Sequence, residues 1–414
     1  MTGPEAARRL LASPLLRRIA GLWDGGQLFL TGGSLRDRLL GLPTQDLDLA
    51  VSGDPRAAAE AVAVRLGGRC FPLGHPPLVT WRVAGARHNV DLWGIEGGLE
   101  HDIFRRDFTV NALFWRLPRG PLLDLVGGLD DLAAGRLRVV RKENLVSDPL
   151  RVLRGVRLLA THPELRLTAE SEQQLGRSAP GLRSVARERV CEELRLLLGG
   201  PGVERSLLLA ARIGVMEAML PSWRGYTRVQ AVARLAGELR ALQRAGGAVA
   251  RAAVEVAVAV LASPGAGFPG AWEAPAAAAA LAAIGWPPRA AQRAAAAAGL
   301  GEQLLPVLGR NAAAERDLAA QADDLLEPAV AWAVARSAVT GADSRVPGTA
   351  LLRWWRRFSS RPPLLSGEEI ATLLALPAGP ARGAAVRALR RAHARGEVRN
   401  REQAERFLRE TQIR

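Results

Sequence analysis

The sequence is poor in the residue types that build disulfide frameworks and histidine-rich metal sites. Among its 414 residues are two cysteines, five histidines and one tyrosine, and Lys142 is the only lysine. Cys70 and Cys191 have neither metal-ligand spacing nor a disulfide pattern, which is typical of a protein in a reducing cytoplasm. His101-Asp102 alone would suggest a phosphohydrolase, but the other histidines are scattered and complete no ligand set. We therefore do not expect hydrolase chemistry of that type.

Long apolar runs are also missing. The first 20 residues contain scattered arginines and no uninterrupted apolar stretch, so no secretory signal is expected. A spanning helix needs about 18 or more apolar residues, and the alanine-rich stretch 276–299 is broken by glycine, proline and arginine. We expect no membrane-spanning helix and a cytoplasmic location.

Positive charge is in excess. The chain has 56 basic and 41 acidic residues, a formal net charge of +15, which favours a polyanionic partner such as nucleic acid. Residues 353–414 hold 14 arginines and 6 acidic residues, so this short tail supplies more than half of the excess. With 48% hydrophobic residues the chain can still form a real core.

The pattern of the chain changes near residue 140. Strand and helix signals alternate before it, and almost only helical signals follow it, interrupted by a linker-like stretch at 263–270. We predict an α/β head followed by a mainly α-helical remainder. The predicted domains are a catalytic head (1–140), a helical neck (141–200), a helical body (201–345) and a basic helical tail (346–414).

Two motifs in the head indicate a metal-dependent nucleotide site. GGSLRD at 32–37 follows a predicted strand at 28–31, and its glycines let the backbone approach a phosphate. Arg36 and Asp37 are expected to open the next helix. Asp46 and Asp48 alternate on a predicted strand and so point to the same side, where two carboxylates suit Mg²⁺. A glycine turn beside a solvated acidic edge is the plainer alternative, but the two motifs in this order favour a nucleotidyltransferase.

The segment RRDFTVNAL at 105–113 is predicted to begin a helix. On that helix Asp107 and Asn111 would lie one turn apart and could hydrogen-bond ribose hydroxyls. Arg106 could grip a phosphate with two hydrogen bonds. An ordinary capped helix with surface charge is the alternative.

The segment DPLRVLRGVR at 148–157 is predicted to be a helix capped by Asp148. Arg151, Arg154 and Arg157 recur every third residue along one face of it. A fixed carboxylate beside a fixed guanidinium offers an acceptor and donors to a nucleobase edge, so this pair could select a base without a template. The alternative is an N-cap followed by a basic surface stripe.

The tail begins with RWWRRF at 353–358, in which aromatic residues alternate with cations. Two interpretations are open. The tryptophans can pack inward while the arginines are solvated, or the segment can contact the backbone of RNA.

Taken together, the motifs resemble the class II tRNA nucleotidyltransferase and poly(A) polymerase family, which contains the CCA-adding enzymes. The matching blocks are GGSLRD with DLD, RRDFTVNAL, DLVGGLDDL with LRVV, DPLRVLRGVRLLA and a weaker VARERVCEEL, over about residues 25–200. The resemblance implies a polymerase-β-like mixed sheet, Mg²⁺ as cofactor, and tRNA with CTP or ATP as partners. It also implies two-metal phosphoryl transfer, in which one ion activates the RNA 3′-hydroxyl and the other stabilises pyrophosphate.

The resemblance assigns roles to individual residues. Asp46 and Asp48 would bind the metal ions, and Asp91 would be a third acid of the catalytic set. Asp148 and Arg151 would read the base. The implied nucleotide-binding residues are Gly32, Gly33, Arg36, Asp37, Arg106, Asp107, Asn111, Asp148, Arg151, Arg154 and Arg157.

Two features depart from the usual family pattern. Ser147 stands where a glutamate normally precedes the base-reading aspartate. Only 14 residues, 92–105, separate Asp91 from Arg106, and so short a segment resembles the subgroup that adds only CC. We therefore predict CC addition, with full CCA addition, A addition and poly(A) tailing as alternatives within the family.

Two alternatives come from other functional classes. A non-catalytic RNA-binding protein could retain this head, but it would have no reason to keep both Asp46 and Asp48. A toxin-like or antibiotic-modifying nucleotidyltransferase would be shorter and would lack the motifs RRDFTVNAL and DPLRVLRGVR.

Overall fold

The computed structural model describes residues 13–44, 46–74, 79–85, 88–219, 230, 233–238, 274–339 and 345–411. The predicted linker at 263–270 lies outside these residues. The chain divides into two compact units, one formed by residues 1–159 with 163–182 and the other by 160–162 with 183–414. No helix among the described residues is long and apolar enough to cross a membrane.

A mixed sheet of seven strands is the centre of the first unit. The strands are β1 Gln27–Thr31, β2 Asp46–Ser52, β3 Arg69–Leu73, β4 Thr80–Ala84, β5 Asn89–Gly94, β6 Phe114–Arg116 and β7 Leu122–Leu123. Their order is β3-β4-β5-β2-β1-β6-β7, and only the β2–β5 pair is parallel. The predicted α/β head with a mixed sheet is confirmed.

Short helices accompany the strands in this part of the chain. They are α1 Pro14–Ala20, α2 Gly32–Leu39, α3 Pro55–Leu66, α4 Leu99–Phe104, α5 Gly128–Ala133, α6 Lys142–Ser147, α7 Leu150–Thr161 and α8 Ala169–Ser178. A 3-10 turn covers Thr109–Asn111, and two short strands, β8 Arg136–Leu137 and β9 Arg166–Leu167, pair in parallel. α3 begins at Pro55, because the Asp54 carboxylate accepts the Arg56 amide at 2.8 Å and Pro55 fits the first turn.

The two faces of the central strands differ in character. Leu47, Leu49 and Val51 are fully buried on one face of β2, as the alternation of a strand requires. The other face carries Asp46 and Asp48 at its first half and a small apolar cluster at its second. That cluster consists of Phe29, Ala50, Ile103, Ala112 and Phe114, with Trp93 packed against it. The polar half of this face is therefore held at a fixed distance from a well-packed core.

The second unit is helical in its described residues. Its helices are α9 Arg187–Gly199, α10 Val203–Arg212, α11 Val215–Met219, α12 Ala274–Ala283, α13 Pro288–Leu304, α14 Ala312–Ala322, α15 Leu326–Val339, α16 Arg345–Ser359, α17 Gly367–Leu374, α18 Pro380–Arg395 and α19 Arg401–Glu410. One apolar cluster joins α13, α14, α15 and α16, and another joins α17, α18 and α19. The predicted helical remainder is confirmed.

An ion network connects two helices of this unit. The Asp317 carboxylate on α14 accepts two hydrogen bonds from Arg391 on α18, at 2.9 and 2.7 Å, and a third from Arg395 at 2.8 Å. The hydrogen bonds from Arg391, reinforced by the charge of both arginines, hold the pKa of Asp317 below its usual value. We refer to Asp317, Arg391 and Arg395 as the tail ion network.

The aromatic residues of the tail pack inward. Trp355 is buried in the α13–α16 cluster, and Trp354 stacks on Phe358 with ring centroids 5.0 Å apart. Arg356 is exposed and pairs with Glu327 at 2.9 Å. The arrangement agrees with the first interpretation of RWWRRF, in which the aromatics are core and the cations are solvated.

Candidate active site

The predicted acids meet on one face of the sheet. β2 and β5 run parallel with Asp46 opposite Asn89 and Asp48 opposite Asp91, so all four side chains project from the same face. Asn89 Nδ2 donates to Asp46 Oδ1 at 3.0 Å. We call Asp46, Asp48, Asn89 and Asp91 the acid face.

The start of α2 is attached to the acid face. The Ser34 amide donates to Asp48 Oδ2 at 3.1 Å, and the Asp48 amide donates to Ser34 Oγ at 2.9 Å. Gly32 has φ +65°, and a Cβ there would stand 2.9 Å from Asp48 Oδ2. Glycine is therefore required both by the backbone conformation and by the close approach of the carboxylate. The helix begins at Gly32, four residues before the start that the sequence predicted, so Arg36 and Asp37 lie inside it.

The acid face is electrostatically unbalanced. Burial, and then the charge of Asp91, raise the pKa of Asp48, although the hydrogen bonds from Ser34 and the charge of Arg106 oppose the increase. Within the described part of the chain, Asp46 Oδ2 and Asp48 Oδ1 accept no hydrogen bond. Crowded carboxylate oxygens with unused lone pairs suit a hard divalent cation, so the residues present fit Mg²⁺.

Arg36 is buried beneath the glycine turn. Its Nη1 donates to Asn111 Oδ1 at 2.6 Å, and its Nε donates to Asp37 Oδ1 at 2.8 Å. The guanidinium lies 3.4 Å from the position that a Cβ of Gly33 would take. The contacts join α2 to the 3-10 turn, so Arg36 fixes the shape of the glycine turn from below.

Arg106 lies on the same side of the sheet as the acid face. Its guanidinium stands 4.9 Å from the ring centroid of Trp93 and 5.2 Å from that of Phe114, and Nη2 donates to Asp102 Oδ2 at 2.8 Å. Its Nε is buried and has no partner among the described residues. A buried donor without an acceptor is costly, and a phosphate oxygen would supply the acceptor.

The segment 105–113 is not the helix that the sequence predicted. α4 precedes it and ends at Phe104, and Phe108 is extended with φ −124° and ψ 148°. The Asp107 carboxylate accepts the Phe108 amide at 2.8 Å, and the Thr109 amide donates to the Arg138 carbonyl at 2.9 Å. One local side-chain hydrogen bond and one tertiary backbone hydrogen bond thus replace those of a helix.

Asp107 and Asn111 nevertheless meet. Asn111 Nδ2 donates to Asp107 Oδ1 at 3.0 Å, and Arg154 Nη1 donates to Asp107 Oδ2 at 3.2 Å. Burial opposes the ionisation of Asp107, but the charge of Arg154 and the hydrogen bonds from Asn111 and the Phe108 amide outweigh it and lower its pKa. Asp107 is an internal anchor for Arg154 in this structure.

The helix predicted for residues 148–157 is present as α7, which begins at Leu150. Arg151, Arg154 and Arg157 are all half-buried along one face. Arg151 Nη1 donates to the Arg105 carbonyl at 2.6 Å, and its Nε is 3.9 Å from Asp148 Oδ2. Ser147, which stands where the family usually has a glutamate, is the last residue of α6. Its hydroxyl donates to the Asn144 carbonyl at 3.1 Å.

Several residues that contribute to the site were not predicted from the sequence. Asn144 Nδ2 donates to the carbonyls of Phe104 and Arg106, at 2.8 and 2.7 Å. Asp102 is fully buried and accepts from both Arg105 and Arg106. The spacing of Asp102 from the two arginines, three and four residues, was a readable helical signal. Arg82, which pairs with Asp91, could be found only from the strand register.

The chain is similar to known proteins in sequence and in fold. Residues 78–138 match the family described as "Poly A polymerase head domain", and residues 164–225 match "Probable RNA and SrmB- binding site of polymerase A". A CC-adding tRNA nucleotidyltransferase of Thermus thermophilus is 43% identical over 47% of this chain and 44% of its own length. An A-adding tRNA nucleotidyltransferase of Deinococcus radiodurans is 38% identical over 47% of this chain and 45% of its own length. These matches therefore span less than half of each relative.

Solved structures extend the likeness to the whole fold. The CCA-adding enzyme of Thermotoga maritima, complexed with tRNA, superposes with a TM-score of 0.66 and 20% identity over 97% of each chain. A CCA-adding enzyme complexed with CTP gives a TM-score of 0.66 and 19% identity over 98% of this chain and 99% of the other. At such identities the likeness establishes the fold alone.

Proposed function

Because the chain belongs to the tRNA nucleotidyltransferase and poly(A) polymerase family, we propose that it adds CMP from CTP to the 3′ end of tRNA without a template. The observation that carries this proposal is the acid face. Asp46 and Asp48 project together beside the start of α2. On the same side of the sheet, Arg106 has a buried Nε without a partner among the described residues. Carboxylates for a metal and a guanidinium for a phosphate are the two requirements of phosphoryl transfer.

In this proposal Asp46 and Asp48 hold magnesium through their free oxygens. When bound, the ions supply activation of the RNA 3′-hydroxyl and stabilisation of the leaving pyrophosphate. The amides of Gly32 and Gly33 receive the triphosphate, because the start of a helix is an anion site and neither residue has a side chain. The Ser34 amide stays with Asp48. Arg106 donates to the same triphosphate, and Arg36, Asp37 and Asn111 keep the turn in shape.

α7 selects the nucleotide in this proposal. Arg151 donates a hydrogen bond from one nitrogen to the Arg105 carbonyl and lies close to Asp148. Its remaining donors therefore have a fixed direction. A fixed donor edge beside a carboxylate acceptor discriminates between base edges better than a freely moving pair. Arg154, restrained by Asp107, and Arg157 then contact phosphates and support Arg151. The fourfold division into head, neck, body and tail, with tRNA contacting the basic tail, remains part of this proposal.

The segment between Asp91 and Arg106 favours CC addition over CCA addition. After β5 ends at Gly94, only residues 95–98 precede α4 at Leu99, so most of the segment is strand or helix. A long flexible loop has no room there. Among relatives, a CC-adding enzyme at 43% identity and an A-adding enzyme at 38% both match, so the nucleotide choice needs a direct test.

The test uses the purified full chain and three tRNA substrates, lacking CCA, lacking CA and lacking only the final A. Each is incubated with Mg²⁺ and either CTP or ATP, and products are resolved to single nucleotides. We expect two CMP additions to the first substrate, one to the second and no efficient AMP addition to the third. Efficient AMP addition to the third substrate would contradict CC-only specificity. Binding of tRNA without any addition would favour the non-catalytic alternative.

A further inference from the structure

Arg82 forms an ion pair of two hydrogen bonds with Asp91, a residue of the acid face. It lies on β4 directly opposite Asp91 in the antiparallel register. Nε donates to Asp91 Oδ1 at 2.7 Å and Nη2 donates to Asp91 Oδ2 at 2.6 Å, so both carboxylate oxygens are engaged by one guanidinium. The side chain of Arg82 is 38% exposed and that of Asp91 is 18% exposed. Two parallel charge-assisted bonds make this a geometrically specific pair.

The position of Asp91 gives the pair its importance. Asp91 is the register partner of Asp48 and projects from the same face as Asp46. Three carboxylates on one face would form a strong cation site. Among the described residues, however, no group of three His, Cys, Asp or Glu side chains is placed to hold a metal ion. Arg82 accounts for this, because it turns both oxygens of the third carboxylate toward itself. The charges of Asp46 and Asp48 also act on Arg82, so its guanidinium belongs to the same electrostatic group.

We propose that Arg82 is a positioning residue that acts as an internal counter-ion. It withholds Asp91 from the metal and leaves a site of two carboxylates, each with one oxygen that accepts no hydrogen bond within the described residues. This inference rests on the proposed function in one respect, that Asp46 and Asp48 are the metal ligands. Its consequence is that the site binds a bare divalent ion weakly, so that the ion enters mainly together with the triphosphate that it neutralises.

The test measures binding of Mn²⁺ alone to the full chain, from the free-ion signal in electron paramagnetic resonance, without nucleotide or tRNA. Arg82→Gln frees Asp91, and we expect Mn²⁺ to bind about tenfold more tightly, since a nearby cation is removed and a ligand is gained. The double variant Arg82→Gln with Asp91→Asn should return to within about twofold of the unmodified protein. Arg82→Lys, which keeps the charge and loses the two-bond geometry, should fall between.

The matched control is Arg56→Gln on α3, which also removes one charge and breaks one ion pair, with Glu60 at 2.9 Å. It reports the general effect of lost positive charge and should leave the Mn²⁺ affinity nearly unchanged. Unchanged or weaker binding by Arg82→Gln, in a variant with an intact circular dichroism spectrum, would overturn the inference. So would a double variant that stays as tight as Arg82→Gln. If Arg82→Gln fails to fold, Arg82→Lys decides, because equal affinity in Arg82→Lys and the unmodified protein would equally refute the proposal.

Failure of the underlying function gives a different pattern. If Asp46→Asn binds Mn²⁺ as well as the unmodified protein does, the metal is not held at the acid face, whatever Arg82 does. Loss of binding in Asp46→Asn with no response to Arg82→Gln would leave the metal site in place and remove only the counter-ion role.

Discussion

The acid face of the head and the tail ion network both consist of aspartates with arginines nearby, yet their electrostatics are opposite. Asp317 has three hydrogen bonds from two guanidinium groups, and its pKa is lowered. Among the described residues, the Asp48 carboxylate accepts hydrogen bonds only from Ser34, and its pKa is raised, first by burial and then by the charge of Asp91. The satisfied carboxylate is structural, whereas the unsatisfied one has capacity for a ligand. A buried carboxylate next to a like charge is therefore a better indicator of a functional site than a carboxylate paired with arginines.

The largest expected effect tests this comparison directly. Asp48→Asn should lower the rate of nucleotide addition by about a thousandfold or more, because metal coordination contributes several kcal/mol to transition-state stabilisation. The same variant should have a slightly higher melting temperature without Mg²⁺, because the repulsion between Asp48 and Asp91 is removed. Single-turnover incorporation and thermal unfolding measure the two quantities. An active Asp48→Asn protein would show that the acid face is not the catalytic centre.

The second effect concerns the anchor of α7. Asp107→Ala removes the acceptor of Arg154 and Asn111 inside the head, and we expect a loss of about 3 kcal/mol in the free energy of unfolding. Urea denaturation measures it, and Asp107→Asn is the milder comparison. A loss below about 0.5 kcal/mol, the range of an ordinary surface substitution, would mean that Asp107 is not an anchor.

The pKa of Asp107 also predicts a pH dependence. Because its pKa is lower in the folded protein, its ionised form stabilises the fold fully above the unfolded value of about 3.9. This contribution is lost as the pH falls through the lowered pKa. The stability difference between the unmodified protein and Asp107→Asn should therefore shrink below about pH 4, as measured by urea denaturation across pH. A difference that is constant with pH would show that the carboxylate charge is not responsible.

Gly32→Ala gives a smaller effect. The positive φ and the contact with Asp48 Oδ2 both oppose a Cβ, so we expect a loss of about 1–2 kcal/mol in stability. Nucleotide addition should fall by about tenfold, because the Cβ displaces the carboxylate from its position by a fraction of an ångström. Gly67→Ala is a suitable control, since Gly67 also has positive φ but no atom of the described residues lies within 4 Å of its Cβ position. Equal loss of activity in both variants would argue against a contact-specific role.

The smallest effect is expected in the tail ion network. Asp317→Ala should lower the stability of the helical unit by about 1 kcal/mol, and less at high salt, because the network is only partly buried. Nucleotide addition to a saturating concentration of tRNA should be unchanged. A strong loss of turnover in Asp317→Ala would remove the distinction between a structural and a functional carboxylate.

The sequence supported some of these conclusions better than others. Alternation placed Asp46 and Asp48 on one side of a strand correctly, since the period of a strand is independent of what packs on it. The prediction of a helix at 105–113 was wrong, because Asp107 and Thr109 form hydrogen bonds with Val140, Arg154 and Arg138, which are distant in sequence and which no local pattern reports. The role of Arg82 could not be predicted from the sequence, for a related reason. Its pairing with Asp91 depends on strand register, and register is set by the fold as a whole.

The backbone around Arg105 has a consequence for protein engineering. Three successive carbonyls, those of residues 104, 105 and 106, are occupied by the side chains of Asn144, Arg151 and again Asn144. Residues that lie up to 46 positions apart are thus built as one block. Chimaeras that combine two homologous parents should therefore take residues 99–157 from a single parent, and crossovers inside this interval should yield misfolded heads far more often than crossovers outside it.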